Sequence, residues 1–132
     1  MTTFQIVALY VAICLLMNPV LMLRIGRMRI SKKINLGDGG DADMLARVRT
    51  HGNFTEVVPL GLIGLIAIAM MGGSPIFLHI FGGLLVVGRI LHALGMSGTF
   101  AQGRLIGTVM TLLMFLGQAI YLFVLIFRHG PV

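Results

Sequence analysis

Four long apolar runs, parted by short polar stretches, set the limit on what this chain can become. They cover about residues 4–23, 43–71, 76–96 and 104–127, and each reaches the ~20 residues that a helix needs to cross a bilayer. The hydrocarbon core holds no water to satisfy backbone N–H and C=O groups, so runs of this length must close their hydrogen bonds as helices. The expected fold is therefore all-α, an integral membrane four-helix bundle in which residues 1–132 form one domain. Only 11% of residues are charged, against roughly 25% in a soluble domain.

The formal net charge of +6 is concentrated. Arg24, Arg27, Arg29, Lys32, Lys33, Arg47 and Arg49 surround one polar segment. No soluble domain carries them and no aromatic residues interleave with them, so nucleic acid is excluded as the partner. Basic residues beside spans mark the cytoplasmic side. Loops 24–42 and 97–103 are accordingly expected in the cytoplasm, with both termini outside. The first run lacks a basic leader and is followed by arginines, so it reads as a span rather than a cleavable signal. Cys14 lies inside that run, has no cysteine to pair with, and reads as packing.

Local signals place the ends of the elements. Pro19 predicts a kink in the first helix, with Asn18 able to satisfy the freed carbonyl. The stretch Gly37-Asp38-Gly39-Gly40-Asp41-Ala42-Asp43 reads as a turn, with Asp43 as N-cap of the second helix. It lacks the closing glutamate of a calcium loop. Gly72-Gly73-Ser74-Pro75 reads as a tight turn, with Pro75 at the first helical position. Ala69 with Gly73, Gly103 with Gly107, and Gly82, Gly83 and Gly88 are small residues spaced for close helix packing.

Against this apolar frame one stretch stands out, Arg49-Thr50-His51-Gly52-Asn53-Phe54-Thr55-Glu56, inside the second helix. Glu56 is the chain's sole glutamate. Ionisable groups at membrane depth are costly and are paired, turned inward or part of a site. At about 100° per residue, Arg49, Asn53 and Glu56 share a helical face. A guanidinium, an amide and a carboxylate in one stripe suit a zwitterionic, peptide-like ligand. They equally suit a structural role in which Glu56 neutralises an arginine of the bundle.

Three further constellations stand beside it. Arg89 and His92 are three apart and share a face of the third helix. Arg89 is a candidate partner for Glu56, and His92 is free to meet a ligand. Arg104 opens the fourth helix. A fixed positive charge lowers a thiol's pKa from about 8.5, so Arg104 can turn a thiol substrate into a thiolate, or simply anchor the helix at the headgroups. Arg24, Arg27 and Arg29 end the first helix and divide between ligand carboxylates and lipid headgroups. No histidine pair has metal-ligand spacing, no Ser-His-Asp set exists, and no inverted repeat suggests a transporter.

At these residues the chain resembles the membrane-associated proteins in eicosanoid and glutathione metabolism, the MAPEG family. The motif running from Arg49 to Glu56, followed by Pro59, is similar to that family's Arg-x-x-x-Asn-x-x-Glu signature. Length, four spans, a basic first loop, Arg89 and Arg104 extend the likeness, and the Gly37-Asp38-Gly39 turn resembles the short bacterial branch. The resemblance implies a homotrimer in a bacterial inner membrane, with glutathione as co-substrate bound between subunits and no metal. It assigns glutathione binding to Arg27, Arg49, His51, Asn53, Glu56 and His92, thiolate stabilisation to Arg104, and supporting roles to Arg89 and Arg29. Val57 and Met96 stand where other branches carry tyrosine. The implied function is a glutathione-dependent transferase or peroxidase acting on lipophilic electrophiles or hydroperoxides. The alternative is a non-catalytic lipid-binding or scaffold member of the same fold.

Overall fold

The computed structural model describes residues 1–129. Four helices follow in order: α1 (Thr3–Lys32), α2 (Ala42–Met70), α3 (Pro75–Met96) and α4 (Gly103–His129). No strand occurs among the described residues. Each helix is long and apolar enough to cross a membrane. The shortest, α3, has 22 residues and so reaches about 33 Å at 1.5 Å per residue, just over the hydrocarbon thickness.

α1 runs well past the expected end near residue 23. Between Arg24 and Lys32 there is no proline and a single glycine, Gly26, which a helix tolerates, and Arg29 and Lys32 in the last turn complement the negative end of the helix dipole. The helix stops where Lys33 turns left-handed (φ 54°). There the Ile34 N–H donates back to the Arg29 carbonyl at 3.0 Å, a closing bond that satisfies an otherwise orphaned acceptor.

The start of α2 also differs from expectation. Asp41, not Asp43, is the N-cap, with its carboxylate accepting from the Met44 N–H at 2.8 Å. Gly39 and Gly40 take positive φ (61° and 74°) and set Asp41 at the point where its side chain reaches three residues on. Asp43 then falls in the first turn, where its charge still favours the dipole. Asp41 also accepts from Lys32 Nζ at 2.5 Å, tying the end of α1 to the start of α2. The Lys32 ammonium holds the Asp41 carboxyl below its ordinary pKa of 3.8. A depressed acid contributes stability above its unfolded pKa and loses it as pH falls through the folded value. Acidification below 3.8 is therefore expected to fray the first turn of α2 before the spans loosen. Amide exchange at Met44 and Leu45, rising ahead of exchange at Leu65, is the measurement that checks it.

Pro75 opens α3, as the sequence predicts, and Ser74 caps it. The Ser74 N–H donates to the Tyr121 hydroxyl at 2.9 Å, fastening this turn to α4.

α1 packs on α2 and α3, α4 packs on α2 and α3, and among the described residues the backbones of α1 and α4 do not come close. The α2–α3 pair is thus the centre of the bundle, with α1 and α4 on opposite flanks. Leu65, Ile68, Leu78, Leu85 and Met114 are wholly buried between them. Lipid is as apolar as leucine, so close packing and small residues hold such helices together rather than water exclusion. α3 and α4 approach to backbone contact at Gly88 and Gly107, where a Cβ on Gly107 would sit 2.7 Å from the His92 nitrogen. Gly82 receives the Tyr10 ring of α1. Gly83 has nothing within 4 Å and takes no part in packing.

Candidate functional site

The polar stripe of α2 divides between inside and outside. Arg49 and Glu56 are exposed, whereas Asn53 is half-buried. The exposed line continues along α2 through Leu60 and Ile63, 58% and 60% exposed. A carboxylate thus stands on an outward face otherwise made of lipid-compatible side chains. Among the described residues Lys32 is the only cation in an ion pair, so neither Arg49 nor Glu56 is neutralised within the protomer.

Arg89 does not pair with Glu56, which corrects the partner expected from charge alone. Its side chain is 3% exposed and forks between two helices. One terminal nitrogen donates to Asn53 Oδ1 of α2. The other donates to Thr111 Oγ1 and, at 3.2 Å, to the Gly107 carbonyl of α4. Thr111 passes a further bond to the same carbonyl at 2.8 Å. The planar guanidinium suits this task, since its donors diverge in a fixed plane. With Oδ1 taken, the Asn53 amide is oriented and keeps its N–H donors for another partner.

His51 turns the other way. Its Nε2 lies 2.9 Å from Asn18 Oδ1 of α1, so that nitrogen carries the proton when it donates to the amide oxygen. Asn18 thus serves α2 through its Oδ1. Residues 51 and 53 of α2 thereby fasten α1 on one side and α3–α4 on the other. His92 is 7% exposed and lies against α4 beside Gly107.

Arg104 sits in the first turn of α4 with its side chain exposed. The loop before it is shaped by close backbone contact with α3: a Cβ on Gly95 would lie 2.7 Å from the Gly103 carbonyl carbon. At this position an anion would meet the guanidinium together with the positive end of the α4 dipole. Arg27 is exposed, and Arg29 is half-buried with its Nη1 enclosed and unbonded. Among the described residues no cluster of His, Cys, Asp or Glu could hold a metal ion.

Three polar residues escaped the sequence reading: the half-buried Asn18 as the partner of His51, and the buried Thr111 and Gln118, the latter's amide donating to the Gly61 carbonyl at 3.1 Å. One signal for the last two was present. Arg104, Thr111 and Gln118 recur every seventh residue, which keeps them on one face of α4.

The family model for MAPEG proteins matches residues 7–124. The inner membrane protein YecN of Escherichia coli K12 is 30% identical over 88 residues, covering 67% of each chain. YecN of Escherichia coli O6:H1 matches with the same identity and coverage. No solved structure matches the chain.

Proposed function

The chain belongs to the MAPEG family, and from that premise we propose that it is a glutathione-dependent enzyme of a bacterial inner membrane. The observation that carries this reading is the unpaired, exposed combination of Arg49 and Glu56 on one face of α2. A bare carboxylate facing lipid is unfavourable, and a second copy of the chain laid over the stripe removes it from hydrocarbon. A homotrimer with glutathione between subunits accounts for both charges. Glu56 meets the glutathione ammonium, Arg49 meets a carboxylate, and Asn53 offers the amide N–H groups that Arg89 leaves free.

Arg104 supplies the chemistry. Its charge and the start of α4 favour the thiolate over the thiol, with the thiol proton released to solvent. In conjugation the sulfur lone pair forms a bond to an electrophilic carbon, and the leaving group departs with its electron pair. In peroxide reduction the sulfur attacks the terminal oxygen of a lipid hydroperoxide. The O–O bond breaks to give the alcohol, and a second glutathione reduces the sulfenic acid to disulfide and water. The lipophilic partner reaches the site from the bilayer.

The test is the ultraviolet thiolate absorbance of glutathione added to detergent-solubilised protein. Wild type is expected to develop it together with conjugating or peroxidase activity, and Arg104→Ala is expected to lose both. Full activity in Arg104→Ala would remove that residue from the mechanism.

One observation favours a non-catalytic, lipid-binding or scaffold role instead. Asn53 and His51 are already bonded inside the protomer, so part of the ligand set also holds the bundle together. Calorimetry separates the readings. The scaffold predicts no heat with millimolar glutathione, and Asn53→Ala and Glu56→Ala variants that lose stability alone.

A further inference from the structure

A groove runs between α1 and α3, outside the stripe of α2. Ile13, Met17, Val20, Leu21, Ile90 and Ala93 line it, and it encloses about 390 Å³. Val20 and Ile90 on its rims are 57% and 44% exposed, so it opens sideways toward lipid. At its basic end it meets a second, polar cavity of about 220 Å³ whose lining includes Arg24, Arg47 and Asp43. Leu21 and Arg24 line both, so the two spaces adjoin at these side chains.

Length decides what fits. From Ile13 to Arg24 the groove follows about 16 Å of helix, roughly half of a ~30 Å hydrocarbon core. Beyond Ile13 it is closed. There the Tyr10 ring packs on Gly82, and its hydroxyl bonds His79 at 3.1 Å. A membrane-spanning helix from another protein needs the whole thickness, whereas one leaflet's acyl chain needs only this half.

Charge decides the headgroup. Neither Arg24 nor Arg47 has a carboxylate within ion-pair distance among the described residues. Asp43, the acid in the cavity lining, lies 3.7 Å from Lys32. The cavity is left with two guanidiniums whose planar donors match phosphate oxygens. We propose that the α1–α3 groove and the cavity at its basic end bind one anionic phospholipid, with an acyl chain along Ile13–Leu21 and the phosphate on Arg24 and Arg47. The proposal holds whether or not the α2 stripe binds glutathione.

The experiment compares phosphatidylglycerol with phosphatidylcholine of identical chains, added to delipidated protein in detergent and read as adducts by native mass spectrometry. Wild type is expected to retain phosphatidylglycerol preferentially. Arg24→Gln and Arg47→Gln should each weaken retention about fivefold, the effect of one basic residue at a membrane surface, while Arg24→Lys, which keeps the charge but not the planar fork, should weaken it less than Arg24→Gln. Ala93→Leu, which fills the groove and leaves both arginines, should weaken it too. Equal retention of the two lipids by wild type overturns the proposal and depends on no variant folding. Unchanged phosphatidylglycerol retention in the Arg24→Gln/Arg47→Gln double variant, or in Ala93→Leu, overturns it as well.

Discussion

Replacing Arg89 with alanine is expected to lower the unfolding free energy by about 3 kcal/mol, the combined cost of a polar partner left unbonded and of the space the side chain vacates. Two losses combine. Asn53 Oδ1 loses its donor, and an orphaned buried acceptor costs about 1–3 kcal/mol. The stem of a side chain that is 3% exposed leaves a void between α3 and α4, which adds a packing term. The Gly107 carbonyl suffers least, since Thr111 Oγ1 still donates to it at 2.8 Å. Arg89→Met, which fills the space without a charge to desolvate, should recover part of the stability but not the orientation of Asn53. Arg89→Lys keeps the charge but loses the fork that reaches α2 and α4 together. Thermal unfolding in detergent, followed by circular dichroism, checks the order. A double cycle with Asn53→Ala should show a coupling of about 1 kcal/mol or more. Strict additivity would mean that the two side chains do not share a bond in the membrane.

Arg89 also marks how far the sequence could be read. Periodicity within α2 put Arg49, Asn53 and Glu56 on one face, which holds to within about 60° at 100° per residue. That margin is enough to turn Asn53 toward α3 while Glu56 looks outward, and it falls where a helix surface passes from buried to exposed. Charge matching alone named Glu56 as the partner of Arg89, because acids are scarce here. The neutral acceptors that hold Arg89 come from two other helices, and only the packing of α2 and α4 on α3 brings them together. Strong local signals transferred well: four apolar runs became four helices, and Pro75 opened α3. The shift from Asp43 to Asp41 at α2, and the longer α1, were hidden because polar, helix-compatible residues give no contrast at a membrane edge. Gly88 and Gly107 were legible as small residues, though not as the place where α3 and α4 touch.

The same two helices also meet at Gly95, and that contact carries the second large effect. Gly95→Ala is expected to displace the start of α4 and to abolish thiolate formation although Arg104 remains. A Cβ on Gly95 collides with the Arg104 backbone nitrogen and the Gly103 carbonyl carbon. Both are main-chain atoms, so no rotamer change relieves the overlap and the first turn of α4 must move. Overpacking of this kind costs about 1–3 kcal/mol. The functional loss is larger, since misplacing a catalytic group by ~1 Å can cost ~10²-fold in rate. Gly83→Ala is the matched control: the same substitution on the same helix, with nothing within 4 Å of the added methyl. It should be neutral or stabilise α3 by up to about 1 kcal/mol through helix propensity. Melting temperature and glutathione thiolate absorbance, measured on both variants beside Arg104→Ala, discriminate the cases. The expected pattern is a Gly95→Ala protein that stays folded but matches Arg104→Ala in its lost thiolate signal. If Gly95→Ala keeps the wild-type signal, the α3–α4 contact does not set the position of Arg104, and the guanidinium acts from a loop tolerant of displacement.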